Sequence, residues 1–217
     1  MWPLLKLKSE EVSYFASQLD AHTKHPALFL FYLSAFLSSA RSVTFHVQKR
    51  GGGAKDKVYG ALRDQLLSDP VCEFFVDLRN RSEKEGYPAL TVAAQVAHPS
   101  GTAGKLVWTQ HASVTLTGPQ DIDGLRFIQN YLHDEWDFTD HSGPPARLRL
   151  LYKFPDYPGG RGNVVSACHD FADRLWSFIA QFRWKWEQAN DPGASRRKFE
   201  KSLAPGYELP DPLDSAN

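Results

Sequence analysis

Phe29, Leu33, Phe36, Ala40, Val43 and Val47 follow one another at alternating intervals of four and three residues. That spacing lines the six side chains along one stripe of a helix. Leu30, Phe31 and Leu37 add bulk beside the stripe, so the first half of the helix is apolar nearly all round. A helix of this kind must be buried. The most apolar run, Ala27 to Ala40, holds three serines and ends at Arg41. Spanning a bilayer takes roughly 18 to 20 continuous apolar residues. The expectation is therefore the central helix of a soluble bundle with no membrane contact. The opening "MWPLLKLKSEEV" holds no apolar stretch long enough for a signal peptide.

The rest of the N-terminal half reads as helices that cover this one. Ser9, followed by Glu10 and Glu11, has the pattern of an N-cap with acidic first-turn residues, and predicts a helix from there to about Thr23. Pro26 suits the first position of the apolar helix, and "GGG" at residues 51–53 ends it. A third helical segment, "AKDKVYGALRDQLLS", stops at Asp69-Pro70, where Asp69 can cap a restart and Pro70 can occupy its first turn. The fourth segment carries Val71, Phe74, Phe75 and Leu78 inward, and Gly86 and Pro88 stop it.

Beyond Pro88 the period changes from near 3.6 to 2. "ALTVAAQVAH" and "KLVWTQHASVTLTG" alternate and predict two strands joined by a "PSGTAG" hairpin loop. "DIDGLRFIQNYLHDEWDF" has the pattern of a short helix and "ARLRLLYKF" that of a third strand. Asn163 then caps a helix on which Val165, Cys168, Ala172, Leu175, Ile179, Phe182 and Trp186 hold a three-four repeat. Residues 191–217 are Pro-rich and polar, and read as a loosely held tail. The fold class expected is mainly α: an antiparallel bundle over residues 1–190 with a small antiparallel β-sheet inserted at about 88–155, α+β by content.

Composition excludes several activities. Lys+Arg and Asp+Glu balance at 25 each, so phosphate-backbone binding has to come from a local patch. Cys72 and Cys168 are too few for a disulfide framework and lack ligand spacing, which fits a reducing cytoplasm and no bound metal. No P-loop, GxSxG or HExxH pattern occurs, and no cofactor is expected. In "FRWKWE", aromatic and basic residues alternate, but Phe182 and Trp186 belong to the packing stripe and leave Trp184 alone outside it.

Two stretches carry a resemblance. "FYLSAFLSSARSVTF" on the apolar helix, followed by "FFVDLRNRSEKEGYP" on a later one, resembles HEPN proteins (higher eukaryotes and prokaryotes nucleotide-binding). The closer likeness is to bacterial members that follow the "RN" helix with strands. The resemblance implies a HEPN-like bundle, a homodimer built through helix faces, and a setting in defence or toxin–antitoxin systems. Many members are metal-independent endoribonucleases with Arg, Asn and, after three more residues, His. There the His moves a proton at the ribose 2′-OH and the Arg steadies phosphate charge.

Here Arg79 and Asn80 match that pattern, but Lys84 stands where His belongs, and no His lies between Leu66 and Pro88. Lysine's ordinary pKa makes it a poor base near neutrality. The resemblance therefore implies a degenerate member that binds RNA, a nucleotide or a protein partner. Arg41, Arg79 and Lys84 are its candidate anion-binding residues. The competing enzyme reading keeps Arg79 and Asn80 in the site and takes its base from elsewhere, with His46 the candidate.

A structural account covers the same residues. Arg79 and Glu83, Asp77 and Arg81, and Asn80 and Lys84 are each four apart, as on an ordinary solvated helix face. Arg41 interrupts an apolar helix, and an internal ion pair with an acid such as Asp64 or Asp77 would satisfy it. A purely structural interaction protein is the third reading.

Overall fold

The structure, a computed structural model, describes residues 2–50, 57–86, 89–99, 106–117, 121–134, 147–158 and 162–190. The expected "GGG" stop, most of the loops and the tail at 191–217 lie outside these residues. The chain runs α1 (Trp2–Ala21), α2 (Pro26–Arg50), α3 (Lys57–Leu67), α4 (Pro70–Glu85), β1 (Leu90–Pro99), β2 (Leu106–Leu116), α5 (Ile122–Asp134), β3 (Arg147–Lys153) and α6 (Val164–Asn190). The protein is mainly helical with a small antiparallel sheet.

The stripe on α2 is core along its whole length. Phe29, Leu33, Phe36, Val43 and Val47 are fully buried and Ala40 nearly so. Full burial of such side chains contributes about 1.5–3 kcal/mol each. By length and composition Pro26–Lys49 is apolar enough to cross a membrane, yet its apolar stripe is spent on the interior of the fold. The centre is shared with α6, which packs against α1, α2, α3 and α4. Phe171 of α6 stacks on Phe75 of α4 with ring centroids 4.4 Å apart, and Phe36 of α2 meets both rings edge-on.

Two caps form as their sequences predict. One oxygen of the Asp69 carboxylate accepts from the Val71 and Cys72 amides at 2.9 and 3.4 Å, with Pro70 in the first helical turn. Asn163 Oδ1 accepts from the Val165 amide at 3.0 Å. The expected cap at Ser9 does not form. The helix already begins at Trp2, and Ser9 is an interior residue whose buried hydroxyl donates to the Leu5 carbonyl at 2.9 Å. Leu5, Val12, Ala16 and Leu19 bury the same side of the helix, and this apolar face extends it past the capping pattern.

The sheet has the order β2-β1-β3, with both pairings antiparallel. Register runs from Leu90 opposite Leu116 to Pro99 opposite Leu106, with a bulge between Ala94 and Gln95. On the third strand Thr91 lies opposite Lys153 and Ala97 opposite Arg147. Leu90, Val92, Ala94, Leu116, Leu150 and Tyr152 turn into the common core. Tyr152 fixes the sheet to the helices: its ring stacks on Phe29 at 3.7 Å and its hydroxyl donates to the Thr23 carbonyl at 3.0 Å. The insertion is thus packed into the bundle, and it includes α5 as well as strands.

Candidate anion-binding site

Arg41 lies on the outward side of α2, opposite the apolar stripe, so its side chain is exposed despite its apolar neighbours. It pairs with Glu83 on α4. Neither Asp64 nor Asp77 is the partner: Asp64 bonds the adjacent Arg63, at 2.7 and 3.0 Å. The crossing of α2 and α4 brings the last turns of the "RN" helix to Arg41, and residue 83 is the acid within reach. Glu83 is consequently committed to Arg41 and makes no ion pair with Arg79, four residues before it.

Arg79 sits at the junction of the two helices. The guanidinium is half-buried, and one terminal nitrogen donates to Oδ1 of Asn80. Its Nε is buried without a hydrogen-bond partner. Burial pushes its pKa down, the positive charge of Arg41 pushes the same way, and Glu83 opposes both. Two arginines and one carboxylate therefore share a local field with a net positive charge. Asn80 is half-buried and oriented by Arg79, while Lys84 is exposed in the last turn of α4, where a cation suits the helix dipole.

His46 does not join this group. Five residues beyond Arg41, it is turned well away around α2, and its described contact is the edge of neighbouring Phe45 at 6.0 Å. The structure brings Arg41, Arg79 and Asn80 together with Glu83, and leaves the imidazole outside.

A second polar cluster escaped the sequence reading. Arg174 of α6 pairs with the second oxygen of Asp69, and with Asp170 at 3.3 Å. Its Nε is within ion-pair distance of Asp170 but too poorly aligned to count as hydrogen-bonded. Burial works against the Arg174 charge, yet the two carboxylates outweigh it and raise the pKa. Tyr157 donates to Asp170 at 3.5 Å. The cluster borders a cavity of about 270 Å³ between α3, α4 and α6, where Gln65, Ser177 and Gln181 supply further polar atoms. The four-residue spacing from Asp170 to Arg174 was visible in the sequence, whereas the reach to Asp69 was not. "FRWKWE" is packed: Phe182 is buried, Trp2 and Trp186 contact its ring at 6.0 and 6.3 Å, and Trp184 is half-buried with contacts of its own.

No protein-family model, no curated protein and no solved structure matches this chain.

Proposed function

We propose that the chain is a HEPN-like helical protein without the catalytic histidine, which binds the phosphate of an RNA or nucleotide between α2 and α4. Arg41 and Arg79 supply the charge and Asn80 orients the second guanidinium. Dimerisation through helix faces and a role in defence or toxin–antitoxin systems complete the reading, on the strength of the resemblance alone.

One observation carries the binding site. The Arg79 Nε is buried with no acceptor, beside a second arginine. Leaving such a donor unmet costs about 1–3 kcal/mol. Arg79 would turn its Nε outward to meet a phosphate oxygen, and bidentate guanidinium–phosphate contacts are strong. Glu83 would have to release Arg41 to share the anion.

The Arg41–Glu83 pair also favours the structural interaction protein, in which that carboxylate is the permanent partner. Anisotropy with a labelled RNA and a labelled nucleotide separates the two. Binding that Arg79→Ala and Arg41→Ala each weaken supports the anion site; no binding at low salt leaves the structural reading. The same incubations report cleavage. Metal-free cutting abolished by His46→Ala would replace both with the ribonuclease.

A further inference from the structure

The three strands contain no carboxylate. Neither Asp nor Glu occurs in β1, β2 or β3, although acids and bases balance over the whole chain. Arg149 and Lys153 of β3 share one parity and hence one face of the strand. Register sets that face beside Thr91, Gln95 and Ala97 of β1 and beside Gln110 and Trp108 of β2. It is the face turned away from the core, and Arg149 and Gln110 are exposed on it.

Arg149 crosses the whole sheet. Its guanidinium carbon lies 4.0 Å from the centre of the Trp108 ring, although β3 and β2 are separated by β1. Nε donates to Oε1 of Gln95 at 3.0 Å on the way. The crossing is possible because Ala97, opposite Trp108, offers only a methyl group to pass over. The guanidinium is thus held over an indole ring, on a side chain that stays exposed. Stacked arginine planes and aromatic rings receive nucleobases, and their N–H groups receive phosphates.

We infer that this face binds single-stranded nucleic acid, a base stacking on the Trp108–Arg149 pair and the backbone following the basic edge of β3. The surface is remote in sequence from Arg41 and Arg79, and the inference does not depend on the anion site between α2 and α4. Charge complementarity favours an anionic chain, and the arginine lying over an indole favours one with exposed bases over an acidic peptide or a duplex.

The test is anisotropy of the full chain with a short labelled oligouridylate, its duplex form and a polyglutamate peptide. Single-stranded RNA should bind best. Trp108→Ala should weaken it about tenfold, and Trp108→Phe much less. Arg149→Lys keeps the charge but loses the plane, and should also weaken binding severalfold. Trp108 is half-buried, so Gln110→Glu, at an exposed position, provides a variant that keeps the fold and adds repulsion; it should weaken binding as well. Equal binding by wild type, Arg149→Lys and Gln110→Glu would overturn the inference, as would a preference for duplex or polyglutamate. Binding lost in Arg79→Ala but unchanged in these sheet variants would overturn it while leaving the α2–α4 site standing.

Discussion

Asp69 and Arg174 join α4 to α6 through one carboxylate that does two jobs. One oxygen caps the start of α4 while the other pairs with the guanidinium. Their side chains are 30% and 36% exposed, so solvent screens the pair and discounts its strength. Asp69→Ala removes cap and pair together and should cost about 1–2 kcal/mol in urea unfolding. Asp69→Asn keeps a capping oxygen and should lose less than about 1 kcal/mol. Equal losses in the two variants would show that the cap contributes little.

Glu83→Gln should raise affinity for a labelled nucleotide or RNA severalfold at low salt. Arg41 would lose its competing carboxylate, and the positive field at Arg79 would grow. Both partners of the pair are about half exposed, so stability should shift by no more than about 0.5 kcal/mol. Affinity that falls or stays level in Glu83→Gln would argue against an anion between the two arginines.

Phe75→Ala should be among the most damaging single changes. The ring is buried, stacked on Phe171 and met edge-on by Phe36, Phe74 and Phe154. Removing it opens a cavity where three helices and the residue after β3 converge, at a cost of about 3–5 kcal/mol. Chemical denaturation measures the loss.

Alkaline pH should unfold the protein. Burial, with help from Asp69, pushes the Cys72 thiol from 9.0 up to about 12. Burial and Asp170 push Tyr157 from 10.0 up to about 12, and burial raises Cys168 and Tyr152 as well. A raised folded-state pKa means that the folded protein holds the proton more tightly. The stability from these groups is therefore intact below about pH 9 and is lost as pH climbs from about 9 toward 12. Urea midpoints should be level from about pH 7 to 9 and fall above that. For the same reason a thiol reagent at neutral pH should label both cysteines only after unfolding.

Gly162→Ala should cost about 1–3 kcal/mol. Its φ is +54°, and a Cβ there would meet the Phe154 carbonyl oxygen at 2.8 Å, a backbone atom that cannot step aside. The Phe154 amide donates to the Gly162 carbonyl, at 2.9 Å, so the turn before α6 is pinched shut around this residue. A thermal melt that matches wild type would contradict the strain.

Helix period, the Asp69-Pro70 restart, the Asn163 cap and the switch to alternation after Pro88 are local signals, and each was legible in the sequence. Ser9 misled because its capping pattern is real but weaker than the burial of Leu5, one turn earlier. The partner of Arg41 was illegible for a different reason. Which acid comes within reach depends on the angle at which α2 crosses α4, and the crossing selects Glu83 over Asp64 and Asp77. The Trp108–Arg149 contact likewise depends on the order of three strands, which alternation alone does not state. The candidate site was legible in its arginines and not in its counter-charge.

The bulge between Ala94 and Gln95 has a consequence for how this protein can change over time. On the Leu116 side of it, even-numbered residues of β2 share the inward row; past it, Trp108 and Gln110, also even-numbered, share the outward one. A deletion of the single codon for residue 111 would restore unbroken alternation and leave the indole on the outward side. The extra residue can therefore come or go in one genetic step without turning the surface over or replacing any of the side chains that compose it.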